Sequence, residues 1–354
     1  MQWKTLLPLS LALSARATHK NSTAQDMLRF ACSQLVVERL DPIVQPGVNG
    51  SAHLHQIVGG NSFNISMPTT DDPMALSTCT SCSYSEDLSN YWTAVLYFRA
   101  RNGTFKRVSQ VANGGLVQRG GITVYYITPY DGVSNVTSFL PGFRMLVGSP
   151  FNRNEAAVPY QVCHRCFGSI PVDPANPYGG RPCLGDDDTA GLPAIPCPEG
   201  IRTTITFPTC WDGTSLDSAD HKSHIVYPTN GTFETNGPCP STHPMRTPQV
   251  MYEVMWGTQE FNDASLWPVD GSQPFVYSMG DPTGFGSHAD YLFGWKGDAL
   301  QRALDARCNI MYPEDCPLAV QSDDTAMACT QPAVVHEPVD GWLAALPGNN
   351  PVSA

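Results

Sequence analysis

The chain has 354 residues, a formal net charge of −12 and only 15% charged residues. That length buries a large core without help, and an acidic chain with no Lys/Arg run is a poor match for nucleic acid. Nothing basic and amphipathic points to docking on a membrane surface.

Met1 to Lys4 carries one positive charge, Thr5 to Leu13 is a short apolar run, and Ala15-Arg16-Ala17 offers a small-residue cleavage site. Residues 1–17 therefore read as a secretory signal. The apolar run is too short to span a bilayer and no later stretch of about 18 apolar residues exists, so a mature protein without a membrane span is expected. Twelve cysteines suggest up to six disulfides in an oxidising compartment. Sequons at Asn21, Asn49, Asn64, Asn102, Asn135 and Asn230 add N-glycosylation. Together these features place the chain in the secretory route, secreted or held in the lumen of the endoplasmic reticulum or a vesicle.

Strand patterns dominate the rest of the chain. Leu35–Leu40, Tyr91–Phe98, Gly121–Thr128, Ile201–Phe207 and Val250–Trp256 alternate or are rich in β-branched residues. Asn102-Gly103-Thr104 reads as the turn of a hairpin joining 92–99 to 105–111. The stretch 152–199 is rich in Pro, Gly and Asp, holds four cysteines, and reads as an excursion stapled by disulfides. The best helical period spans Asp298–Cys308. The 30 glycines and 31 prolines punctuate nearly every segment. The expected fold is all-β or β-dominated, an antiparallel β-sandwich with long disulfide-stapled loops and few short helices. Residues 18–330 read as a single β-rich catalytic domain and 331–354 as a loosely wrapped tail.

Six of the nine histidines fall in four short loop-like segments. His53 and His55 are two apart, so a strand would turn both rings to one side. His221 and His224 are three apart, His243 sits in Ser-Thr-His-Pro, and His288 follows a glycine-rich turn. Loop-borne imidazoles suit acid–base or hydrogen-bonding work near neutral pH. They can equally be structural groups bonding loop backbones. A zinc or copper ion could take three of them with Asp220 or Asp290. The chain has no H-E-x-x-H motif, and the expectation is no metal and no cofactor. The pair Cys79-Thr80-Ser81-Cys82 and Cys163-His164-Arg165-Cys166 has zinc-like spacing, but a disulfide framework is the expected use. A serine-hydrolase elbow and a phosphate loop are both missing from the sequence. A carboxylate pair for glycoside hydrolysis would be a spatial arrangement that spacing cannot reveal.

Ordered motifs run along most of the chain: Arg29-Phe30-Ala31-Cys32, Glu38 to Ile43, His53-Leu54-His55, Ser77 to Cys82, Phe207 to Gly213, Asp217 to Tyr227, Cys239 to Pro244 and Gly280 to Trp295. In these the chain resembles a fungal secreted family known as a domain of unknown function. Some members of that family carry wall-binding modules, which implies a carbohydrate-active or cell-wall-binding protein as one reading. In its compact length the chain is similar to a smaller set, the intermolecular hetero-Diels–Alderases of tropolonic sesquiterpenoid biosynthesis. That resemblance implies a cofactor-independent pericyclase joining a tropolone-derived ortho-quinone methide to a humulene-type sesquiterpene.

Such a reaction needs two apolar molecules held in a near-attack pose, water kept out and a donor to the quinone-methide oxygen. His53, His55, Arg39 and His288 are the expected catalytic donors. His221, His224 and His243, with Tyr125, Tyr126, Trp256, Phe285, Tyr291 and Trp295, are the expected substrate-binding groups. A metal-dependent oxidative enzyme is a third reading. The sequon at Asn49, four residues before His53, predicts that the two rings open toward a rim.

Overall fold

Alternating apolar residues build two stacked antiparallel sheets. A computed structural model describes residues 26–128, 134–159, 161–169, 183–230, 237–263, 265–310 and 313–354. The signal segment and Asn21 lie outside the described residues.

The larger sheet has seven strands. Its path runs Met27–Cys32, Ile122–Ile127, Gln249–Trp256, Ile201–Thr206, Val162–Cys166 and Asp188–Thr189, with Gln110–Val111 beside Trp256. The second sheet has five, in the order Val36–Glu38, His55–Gly59, Asn90–Ala94, His288–Leu292 and Arg144–Gly148. The main core takes Leu28, Phe30, Val124 and Tyr252 from the first sheet and Tyr91, Met145, Val147 and Tyr291 from the second. Both sheets turn apolar faces inward, as a sandwich requires. A four-stranded sheet and a three-stranded sheet flank this pair. Among the described residues no helix is long and apolar enough to cross a membrane.

Each expected run holds a strand, with shifted ends. The run from Tyr91 to Phe98 divides: Asn90–Ala94 belongs to the five-stranded sheet and Leu96–Arg99 to the flanking one. Continuous apolar character marks burial but not a bend between sheets, so the break at Val95 left no signal. The hairpin at Asn102-Gly103 forms with Tyr97 opposite Arg107 and Arg99 opposite Phe105. Gly103 takes the left-handed φ of +84° that the turn needs. The expected helix shrinks to Ala299–Asp305.

All twelve cysteines pair: 32–82, 79–329, 163–183, 166–197, 210–239 and 308–316. The zinc-like spacing is thus fully taken up by disulfides. Two of them staple the 152–199 stretch, but that stretch is no mere excursion, because its Val162–Cys166 segment is a strand of the large sheet. The tail also departs from expectation. Trp342–Leu343 pairs with Phe105–Arg107, Leu346 is 1% exposed, and Glu38 accepts from the backbone of Val334 and Val335. Its scarcity of regular structure concealed anchoring by side chains and by Cys329. Asn49, Asn64, Asn102, Asn135 and Asn230 are all exposed, as glycosylation requires.

Candidate functional site

The register of the five-stranded sheet assembles the site. His55 lies opposite Ala94 on one flank of the strand Asn90–Ala94. On the other flank Ala289 lies opposite Thr93, which sets His288 level with Ala94. The two histidines therefore share one row and one face, with only an alanine methyl between them. One step deeper, the row Ile57–Trp92–Asp290 points the same way. On the far side His288 lies opposite Gly148, whose φ is +78°. A Cβ there would meet Ser287 O at 2.3 Å and His288 Cα at 2.9 Å, so the closeness of these two strands depends on glycine.

His53 is not in the strand; it sits in the bend just before it. Its ring still meets His55 at a centroid distance of 4.3 Å and His288 at 4.9 Å. The shared cluster forms, but through a loop folding back rather than through strand alternation.

Proton positions follow from the partners. His55 Nδ1 lies 3.0 Å from Leu40 O and His288 Nδ1 lies 2.8 Å from Gly286 O. A carbonyl only accepts, so both Nδ1 atoms carry the proton and both Nε2 lone pairs face inward. His53 Nε2 then donates to His288 Nε2, 2.9 Å away. His55 Nε2 has no partner although the residue is fully buried.

Burial keeps the rings neutral. It lowers His55 to about 4; burial, then the repulsion two protonated rings would feel, lowers His288 to about 4. His53 is likewise held well below its ordinary value by burial, then by repulsion from the other two rings.

Two carboxyls complete the group. Asp41 caps its own turn by accepting from Ile43 N and Val44 N, and brings an oxygen to His55 and Asp290. Asp290 is 1% exposed and its Oδ2 has no partner. Burial, reinforced by Asp41, pushes the Asp290 carboxyl well above the ordinary range. Lys222 donates to Gly148 O at 2.5 Å and its ammonium interacts with Asp290. Access is narrow: His53 is 5% exposed and His288 6%. The rim foreseen from the Asn49 sequon is thus an almost closed edge.

Other expected residues lie elsewhere. Arg39 bonds Glu337 Oε1 at 2.5 Å and Ser51 O at 2.6 Å, so it fixes the histidine loop to the tail and does not donate into the cluster. His221 pairs with Asp217 at 2.7 Å and flanks the cluster through its field on Asp41. His224 bridges Ser218 and the backbone of Arg144, and His243 bridges Thr242 and Ser223 O. Both hold loops. Tyr126, Tyr291 and Trp295 are hydrogen-bonded core residues, and Trp256 is buried with its indole on Thr203. Tyr125 bonds Glu253 and Arg29 in the large sheet. Phe285 is half-buried near Gly191. None of these aromatics forms a wall beside the histidines. The cleft lined by Met27, Leu28, Tyr126, Ala303 and Leu304 also holds no histidine.

Sequence reasoning missed Asp41 and Lys222. Asp290 carried a usable signal, since it stands two residues after His288 on a strand; Asp41 carried none.

A family model described as a domain of unknown function, DUF1996, matches residues 41–295. No curated protein and no solved structure matches the chain.

Proposed function

The chain belongs to the DUF1996 family, and on that premise we propose that it is an enzyme of the secretory route whose reaction centre is the His53–His55–His288 cluster. One observation carries the reading. Three neutral imidazoles converge in the interior while His55 Nε2 and Asp290 Oδ2 stay without partners. A buried polar atom left unpaired costs about 1–3 kcal/mol. A scaffold with no use for these groups would be more stable with apolar side chains in their place.

The reaction proposed is a hetero-Diels–Alder addition. An ortho-quinone methide supplies its conjugated oxygen and exocyclic carbon, and a humulene-type alkene supplies two carbons. One C–O and one C–C bond form, nothing leaves, and no electrons are exchanged with a partner. Negative charge grows on the quinone-methide oxygen as the bonds form. The His53 Nε2–H, turned from His288 to that oxygen, or a cation at the same edge would lower that barrier. The two substrates would meet at the cluster's edge, where His53 and His288 are the slightly exposed histidines.

A carbohydrate-directed protein would be expected to present an aromatic platform. Trp92, Trp211, Trp256, Trp267 and Trp295 are all buried. Trp342 is 56% exposed and packs on Lys106 and Phe98. Nothing in these positions favours that reading over the pericyclase.

The test is direct. Secreted, glycosylated protein is mixed with a tropolone-derived alcohol that generates the quinone methide and with a humulene-type alkene. A single stereoisomer of the dihydropyran adduct, formed faster than without protein and slowed in His53→Ala, is the expected result. Racemic adduct at the background rate rejects the reading.

A further inference from the structure

The two inward lone pairs of the cluster are held in a particular way. Each ring that presents Nε2 inward, His55 and His288, anchors its opposite nitrogen on a backbone carbonyl. That fixes the tautomer and aims the ring, which is the arrangement that surrounds metal-bound histidines. One ligand atom from each of His53, His55 and His288 lies within 4.8 Å of the others, and the same holds for Asp41, His55 and Asp290.

We infer that His53, His55 and His288, with the Asp290 carboxyl beside His55, form a binding site for a divalent first-row transition ion of the zinc or copper class. The site is built from separate elements: a loop, the start of one strand, and the start and third residue of another. It rests on two independent observations, the convergence of the donor atoms and the two orphaned buried atoms, His55 Nε2 and Asp290 Oδ2. A cation held by the three rings would answer the His55 Nε2 orphan beside the Asp290 carboxyl, and His53 would then carry its proton on Nδ1 so that Nε2 can ligate.

The donor set selects the metal. Three imidazoles without a thiolate suit zinc or copper, whereas calcium and magnesium take oxygen ligands. With three protein ligands, the fourth position of the ion would be left for the His53–His288 edge. There the ion would polarise a substrate oxygen as a Lewis acid. That use rests on the reading of the cluster as a reaction centre; binding of the ion does not.

The experiment uses the full secreted chain, treated with a chelator and then titrated with Zn²⁺ by calorimetry. In parallel Co²⁺ is added and its visible ligand-field bands are recorded. The expected result is one ion per chain, tetrahedral-type cobalt bands and a raised melting temperature. His55→Gln should weaken binding by about 100-fold or more and Asp290→Asn, beside it, by about 10–100-fold, while exposed His336→Gln leaves it unchanged. Circular dichroism confirms that each variant is folded; should His55→Gln not fold, the near-isosteric Asp290→Asn decides. Absence of stoichiometric binding, or binding indifferent to both substitutions, overturns the inference and leaves the orphaned atoms to a buried water. Ion binding without adduct formation upholds the site and rejects the pericyclase. Ion binding together with adduct formation that survives removal of the ion upholds both and rejects only the Lewis-acid use of the ion.

Discussion

His53 Nε2 lies 2.9 Å from His288 Nε2, across 235 residues of sequence. A loop and a strand of the central sheet are thereby joined through the two rings. His288 has its other nitrogen committed to Gly286 O, so it can only accept from His53. The direction of this bond is fixed by a backbone carbonyl.

His288→Ala should therefore act on more than stability. Leaving His53 without its acceptor costs about 1–3 kcal/mol. Loss of the ring that orients the His53 N–H toward the reacting oxygen should also lower adduct formation, by about 10²-fold. Measuring both on the same preparation separates the effects: an activity loss no greater than the loss of folded protein would make His288 structural only.

Gly148→Ala should disturb the site without touching it. A methyl at this position meets Ser287 O and the His288 backbone, and the φ of +78° is strained for alanine. A cost of about 1–3 kcal/mol is expected. The His288 strand must shift away, so rate should fall further than stability. Unchanged melting temperature with unchanged rate would show that the two strands can separate freely.

Asp87 should govern part of the pH dependence of stability. Burial raises its carboxyl to about 7, against the lowering effect of hydrogen bonds from Tyr91 and Ser89. The folded state then holds a proton that the unfolded state releases near 4. Its stabilising contribution is full below that value and is lost as pH rises through about 7. Asp87→Asn removes the penalty, so the variant should gain on the wild type by up to a few kcal/mol between pH 4 and 8. Parallel denaturation curves at the two pH values would refute it.

The Cys79–Cys329 disulfide closes 250 residues and ties down the segment that carries Glu337. Serine at both positions should cost about 3–5 kcal/mol in chemical denaturation. The tail should also become cleavable by protease before the core unfolds. Proteolysis that starts elsewhere would mean the strand Trp342–Leu343 holds the tail alone.

Much of the fold was legible in local pattern. Period-two runs near Val124, Ile205 and Val254 announced strands because burying one face of a sheet demands that alternation. The helix at 299–305 and the hairpin at Gly103 were visible for equally local reasons. The tail was not, because Leu346, Glu337 and Cys329 are single anchors with no period. The six histidines also divided in a way spacing could not foresee. His224 and His243 hold loops, while His288 joins His53 and His55.

Residue chemistry and short-range order alone settled that this is a cysteine-rich, sequon-bearing β chain with imidazoles gathered in a few short segments. Which imidazoles meet was decided only by sheet register: His55 and His288 reach one another because both flank Ala94, and Asp290 follows one pleat away. Register depends on contacts between strands far apart in the chain, satisfied all at once when the two sheets close on their shared core. No local stretch of sequence contains that information.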